Sequence, residues 1–196
     1  MELERQDLIV KCAMMGLVGA LIFSYLWVAA VLVDGNWILG VETLSELGGD
    51  RRGSFLFNTG VITMGFAGLA FSSGLYLCLG SPLKGSGSIV LMVGSVALIG
   101  VGIFPITAGD PHTFFSYLFF GLMLFSLAML VWPLSREPRI GSLGGAVTLG
   151  SIVVSLGFLF NSSVPMTEAV AVICLLIWSV TISSLILIRP SFRTCT

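Results

Sequence analysis

Twenty residues in a row carry no charge near the C-terminal end of this chain: Ala169-Val-Ala-Val-Ile-Cys-Leu-Leu-Ile-Trp-Ser-Val-Thr-Ile-Ser-Ser-Leu-Ile-Leu-Ile188. As a helix, such a stretch is long enough to cross the hydrocarbon core of a bilayer, which is about 30 Å thick. Similar apolar runs recur along the chain, in which 56% of the residues are hydrophobic and 10% are charged. The sequence predicts six transmembrane helices, at about Ile9–Val33, Phe55–Leu79, Ile89–Phe104, Thr113–Trp132, Gly144–Phe160 and Glu168–Ile188.

We therefore predict an all-α fold, a polytopic membrane bundle of six transmembrane helices, with residues 1–196 forming one integral membrane domain. A closed β-barrel would show strands of about ten residues with alternating polarity, and the sequence lacks that pattern. The first apolar run is too long for a signal peptide and has no small-residue cleavage site after it, so we expect it to be retained.

The basic residues predict how the helices are oriented. Seven of the nine Lys and Arg residues flank one side of the predicted spans: Arg5, Lys11, Lys84, Arg136, Arg139, Arg189 and Arg193. Only Arg51 and Arg52 lie on the other side. Because basic residues are enriched in cytoplasmic segments, we expect a protein of the cytoplasmic membrane with both termini in the cytoplasm. The opposite, acid-rich side is then the outer face.

The longest predicted loop, residues 34–54, lies on that outer face and contains a helix signal. Thr43-Leu-Ser-Glu46 has the pattern of a capping box, in which each side chain bonds to the backbone of the other residue. It predicts a short helix at the membrane interface, with Trp37 and the next two residues dipping toward lipid. Glu42 and Glu46 would share one face and repel each other unless a cation such as Arg51, Arg52 or a metal lies between them.

Four further polar residues occur at similar depth on the outer side. Asp110 is placed to cap the fourth transmembrane helix, and His112, the one histidine of the chain, follows it. Glu168 lies near the outer end of the sixth helix, where the helix dipole favours an acid. Asn58 lies about one turn into the second helix, where its amide needs a partner inside the bundle.

From these positions we predict an outward-opening polar pocket lined by Glu42, Glu46, Asn58, Asp110, His112 and Glu168. Within it, His112 and Glu168 would share one site with Asn58 and either Glu42 or Glu46. An imidazole with two carboxylates could bind a divalent metal, with His112 and Glu168 as ligands. In the alternative interpretation each residue acts alone, as a helix-start charge, an interface residue or a hydrogen bond between helices.

Short motifs along the chain resemble a family of six-helix prokaryotic and archaeal membrane proteins of unknown function, with a layout distantly similar to the DRAM/Frag type. They are Leu44-Ser-Glu-Leu-Gly48, Phe57-Asn58-x-Gly60, Gly102-Ile-Phe-Pro105 and His112. Members of that family often carry a histidine before the Leu-Ser stretch, whereas this chain has Glu42-Thr43. The resemblance implies the fold and no established activity.

Three classes of function remain open from the sequence. The first is a protein that binds a membrane lipid or other amphiphile, or an accessory membrane protein, because this needs only an apolar cavity and a few convergent polar groups. The second is a membrane-embedded hydrolase with a mixed His/carboxylate metal site. The third is a small transporter, although the helix centres carry mainly Ser, Thr and Gly.

Other ligands and partners are constrained by composition. One histidine excludes bis-histidine haem, the Gly-rich stretches do not follow strands as nucleotide-binding loops do, and a net charge of −1 gives no basic surface for nucleic acid. Small-residue motifs, Gly16-x-x-x-Ala20, Ala70-x-x-x-Gly74 and Gly141-x-x-x-Gly145, would serve either packing within the bundle or a homo-oligomer.

Overall fold

A computed structural model describes residues 2–189 and shows an all-helical bundle. Its helices are α1 Glu2–Asp34, α2 Leu44–Leu47, α3 Ser54–Leu79, α4 Pro82–Ile103, α5 Asp110–Arg136, α6 Gly141–Asn161 and α7 Val164–Ile188, with a one-turn 3-10 helix at Ile106–Ala108. All but α2 are long and apolar enough to cross a membrane. The predicted six-helix membrane bundle with a short helix in its first long loop is therefore confirmed.

The six long helices form a closed ring in chain order. Each packs on the next, from α1 to α3, α4, α5, α6 and α7, and α7 packs back on α1. Because the connections are short, consecutive helices run in opposite directions. Glu2 and Ile188 therefore lie at one end of the bundle, which we call the terminal end. The opposite end, which carries residues 34–54 and 104–109 and the α6–α7 connection, is the distal end.

Trp37 belongs to a second apolar cluster at the distal end rather than to the lipid interface. Its side chain is 8% exposed and packs in a cluster with Phe23, Leu47 and Phe57. The indole Nε1 donates to the carbonyl of Thr43 over 2.8 Å, and this partner inside the protein holds the ring against the bundle. The expectation that Trp37 dips toward lipid was wrong, whereas the following Ile38 is exposed.

Small residues let the helices approach closely within the ring. A Cβ added to Gly16 of α1 would lie 2.6 Å from Cδ2 of Phe71 on α3 and 2.7 Å from Oγ of Ser183 on α7. A Cβ on Gly74 would collide with Cys12. At these positions, packing inside one bundle explains the small residue, as one of the two interpretations expected.

Several helices extend beyond the apolar runs that predicted them. The predicted spans left residues 80–88 outside the helices, but α4 already begins at Pro82. Ser81 caps this helix, since its Oγ accepts from the backbone N–H of Lys84 over 3.3 Å, and proline suits the first helical turn. Likewise α5 continues through Pro133 to Arg136, beyond the predicted end of the span at Trp132.

Candidate functional site

The short helix α2 has the predicted capping box at its start. The N–H of Glu46 donates to Oγ1 of Thr43 over 3.1 Å, and the N–H of Thr43 donates to Oε2 of Glu46 over 2.6 Å. Both bonds satisfy backbone donors that a helix start leaves without partners. The carboxylate of Glu46 is therefore engaged in shaping α2 itself.

Two long helices hold α2 across the distal end. On α7, Oε2 of Glu168 accepts from the N–H of Leu44 over 3.0 Å, and Oε1 accepts from the hydroxyl of Ser45 over 2.7 Å. On α3, Nδ2 of Asn58 donates to the carbonyl of Gly48 over 2.8 Å. The bonds to Glu168 and Asn58 hold the two ends of α2. Because α7 and α3 are the two neighbours of α1 in the ring, α2 is attached to the helices on both sides of α1.

Arg51 is the cation that neutralises the acids of the first loop. Its Nη1 lies 3.0 Å from Oδ2 of Asp34, and its Nη2 pairs with Oε1 of Glu42. The hydrogen bond to Asp34, followed by the charge of Glu42, raises the pKa of Arg51 above its ordinary value. Glu42 and Glu46 thus have separate partners, Arg51 for the first and the α2 backbone for the second.

His112 is buried, with 6% of its surface exposed, near the start of α5. Its Nδ1 lies 2.7 Å from the carbonyl oxygen of Phe104, and because a carbonyl only accepts, Nδ1 carries a proton. In the neutral ring Nε2 is then an acceptor, and the hydroxyl of Ser116, one helical turn on, lies 3.2 Å from it. The carbonyl thus fixes which ring nitrogen faces Ser116.

A cavity of about 630 Å³ lies between α5, α6 and α7 at the distal end, below α2. Its walls are mainly apolar, with Leu124, Leu127, Leu156, Leu159, Ala171 and Leu175 among the lining residues. Its polar lining includes Ser45, His112, Ser116 and Glu168, which come from α2, α5 and α7. The cavity therefore combines leucine-rich walls with hydroxyl, imidazole and carboxylate groups.

A second, smaller cavity of about 100 Å³ occupies the centre of the ring and is lined by every long helix except α6. Ser45, Ser116 and Glu168 line both cavities. The carboxylate of Glu168 and the two hydroxyls therefore mark the place where the central cavity meets the distal one.

Of the six residues predicted to line one pocket, the structure brings two to the distal cavity. His112 and Glu168 are in its wall, whereas Glu42, Glu46, Asn58 and Asp110 are not among its lining residues. Asp110 is exposed in the first turn of α5, one residue after Gly109 at the capping position.

A site shared by His112 and Glu168 with one of the other residues stays a prediction. Within residues 2–189, no group of three or more His, Cys, Asp and Glu side chains is placed to hold a metal ion.

Ser45 and Ser116 are the site residues that the sequence reasoning missed. Ser116 follows His112 by four residues, which places both on one face of a helix, so the spacing could have identified it. Ser45 lies inside the capping box, and only its hydrogen bond to Glu168, which is 123 residues away in the chain, shows its position.

The motifs that carried the family resemblance build this distal end. A Cβ on Gly48 would lie 2.5 Å from Oδ1 of Asn58, so the glycine lets the amide reach the α2 backbone. A Cβ on Gly102 would lie 3.1 Å from the carbonyl of Asn58, which brings α4 against α3 at the same level. Phe104 supplies the carbonyl that His112 binds.

A family model described as "Protein of unknown function (DUF998)" matches residues 17–185, which include all six long helices in whole or in part. No curated protein and no solved structure is significantly similar to the chain. The match covers most of the sequence and includes every motif of the distal end. The chain therefore belongs to this family of proteins of unknown function.

Proposed function

We propose that this protein binds an amphiphile, such as a membrane lipid, in the distal cavity. The observation that carries the proposal is the cavity of about 630 Å³ with apolar walls and a polar group at α2. Small-molecule sites are typically concave, largely apolar and of about 300–1,000 Å³, with a few placed polar groups. An acyl or alkyl chain would lie along the leucines of α5, α6 and α7, and its head group would meet Ser45, Ser116 and Glu168.

The proposed location is the cytoplasmic membrane, with the termini in the cytoplasm and the cavity near the outer face. It is supported by the charges of the described bundle. Six basic residues lie toward the terminal end, namely Arg5, Lys11, Lys84, Arg136, Arg139 and Arg189. Only Arg51 and Arg52 lie at the distal end. This asymmetry favours insertion with the terminal end inside.

Filling the cavity tests the proposed function. Ala171 lies in the cavity wall on α7, and Ala171→Phe would occupy part of the space that an alkyl chain needs. Ala128 on α5 is exposed on the surface of the bundle, so Ala128→Phe is a matched control. Native mass spectrometry of protein purified from membranes should show co-purified lipid on the wild type and the control, with little on Ala171→Phe. Equal lipid retention by all three proteins would contradict the proposal.

A second candidate function, hydrolysis of an ester in the bound amphiphile, is favoured by the Ser116–His112 pair. A hydroxyl within reach of an imidazole that is itself oriented by a third group is the arrangement of an activated nucleophile. Catalysis would also need donors around the developing oxyanion, so binding is the first candidate. A fluorophosphonate probe that labels the wild type and not Ser116→Ala would support hydrolysis, and no labelling of either would exclude this nucleophile.

A further inference from the structure

The wall of the distal cavity has more acidic than basic charge, and this restricts the head group that fits there. Glu168 is the one acidic residue among the residues that line the two cavities, and no Lys or Arg lines either of them within residues 2–189. The nearest guanidinium of the first loop, that of Arg51, is paired with Asp34 and Glu42. Among the lining residues, Glu168 thus has His112 as its one basic neighbour and no Lys or Arg.

The carboxylate of Glu168 keeps capacity for a ligand. It accepts hydrogen bonds from the backbone N–H groups of Leu44 and Ser45 and from the hydroxyl of Ser45. A carboxylate has about four lone-pair sites, so about one remains for a ligand. Partly withdrawn from water, a carboxylate gains more from a cationic partner than it would in bulk solvent.

The groups beside Glu168 also suit a donor rather than an acceptor. Both ring nitrogens of His112 already have partners inside the protein, Nδ1 at the Phe104 carbonyl and Nε2 beside the Ser116 hydroxyl, so neither is free for a phosphate. Phe120 lines both cavities, and an aromatic face attracts cations. An ammonium, with three N–H donors, matches this set, whereas an anionic head would meet the like charge of Glu168.

We propose that the distal cavity selects amphiphiles whose head group is a primary amine or ammonium, and that Glu168 recognises that group. This inference rests on the proposed binding of an amphiphile. The ammonium could belong to a single-chain amine or to the ethanolamine head of a phospholipid, since both present the same charged donor. Chain length is set by the apolar wall, and head-group choice is set by Glu168.

The test compares straight-chain probes of equal length that differ only in the head group: a primary amine, an alcohol and a carboxylic acid. Each is titrated onto the purified protein in a non-ionic detergent and counted by native mass spectrometry. Hydrogen bonds to charged groups contribute about 1.5–3 kcal/mol, so the amine should bind about tenfold or more tightly than the alcohol, with the acid weakest. The binding of phosphatidylethanolamine is then compared with that of phosphatidylglycerol with the same acyl chains. This comparison shows whether the ammonium of a phospholipid head group is recognised as well as that of a single-chain amine.

Substitutions test whether Glu168 is responsible for the preference for an amine head group. Glu168→Gln keeps the shape and removes the charge, so the amine should fall to the affinity of the alcohol. Glu42→Gln makes the same chemical change at the distal end outside the cavity wall, and should retain the preference.

The outcomes separate the two proposals. Equal binding of amine and alcohol to the wild type, or tightest binding of the acid, would overturn the selectivity while leaving amphiphile binding intact. Binding of none of the probes would overturn the proposed function and the selectivity together. Because the wild-type comparison needs no substitution, the result does not depend on whether Glu168→Gln folds.

Discussion

Asn58 shows how a single polar side chain can set the position of a whole segment. Its amide is the link between α3 and the end of α2, through the hydrogen bond to the Gly48 carbonyl. The sequence indicated that a polar residue one turn into a membrane helix needs a partner, and this partner is found. The sequence could not indicate that the partner is the Gly48 carbonyl. Gly48 lies outside α3, and its position relative to Asn58 depends on the conformation of the turn between α2 and α3.

Replacing Asn58 should therefore loosen α2. Asn58→Ala leaves the Gly48 carbonyl without this donor, and we expect a loss of about 1–2 kcal/mol in the free energy of unfolding. Asn161→Ala is a matched control, because the Asn161 amide is exposed and donates within its own helix, to the carbonyl of Gly157. Thermal unfolding in detergent measures both variants, and an equal shift in Tm for the two would contradict the assigned role.

Arg51 fixes the first loop against the end of α1. Its raised pKa keeps the guanidinium charged, so its contribution is constant through neutral pH and is lost on the alkaline side only as the pH rises through that pKa. Arg51→Gln would remove the cationic partner of Asp34 and Glu42 and should loosen the first loop. Limited proteolysis between residues 34 and 54 should accelerate for Arg51→Gln but hardly change for Arg52→Gln, where the side chain is exposed. Similar cleavage of both variants would count against the ion pairs.

At the scale of helices, the predictions from apolar runs succeeded because the membrane imposes a length and forces the backbone to bond within each segment. Their boundaries were less accurate, since hydrophobicity marks the part of a helix in lipid and not its ends. Ser81 and Pro82 extend α4 toward the terminal end by local capping chemistry, which the Gly-rich composition obscured.

Close helix contacts are also the weak points of the bundle. Gly16→Ala should destabilise the protein, by about 1–3 kcal/mol, because the added methyl group would press on Phe71 and Ser183 where three helices meet. Gly150→Ala is the control, since a Cβ there meets nothing within 4 Å and helix propensity favours alanine. Thermal unfolding should rank Gly150→Ala at or above the wild type and Gly16→Ala below it. The reverse order would contradict the packing of α1 in the ring.

At the scale of the whole molecule, the ring order of the helices and the convergence of α2, α5 and α7 could not be read from the sequence. The capping box and the His112–Ser116 spacing are local patterns, whereas the hydrogen bond that the N–H of Leu44 donates to Glu168 joins residues 124 positions apart. The sequence therefore indicated which polar residues lie at the distal end but not which of them face the cavity. It favoured Glu42 and Glu46 as site residues, and their partners turned out to be Arg51 and the α2 backbone.

Orientation in the membrane is a prediction for the molecule as a whole. A cysteine introduced at Lys84, between α3 and the body of α4, should react with a membrane-impermeant thiol reagent only after the cell is opened. A cysteine at Thr107, in the connection between α4 and α5, should react in intact cells. The native cysteines, Cys12, Cys78, Cys174 and Cys195, are replaced first so that the label reports a single site. Labelling at Lys84 in intact cells, with labelling at Thr107 only in opened cells, would contradict the proposed orientation.

The central claim is that an amphiphile occupies the space between α5, α6 and α7, and photocrosslinking in the membrane tests it most directly. A straight-chain amphiphile with a photoreactive group on its chain should label peptides that contain Leu156 or Leu175, and an excess of the unreactive amphiphile should suppress that labelling. Labelling of lipid-facing positions such as Phe66 and Phe125 should persist, because they are exposed on the outside of the bundle. Labelling of the exposed positions alone would contradict the claim. So would labelling of the cavity positions that an excess of the unreactive amphiphile does not suppress.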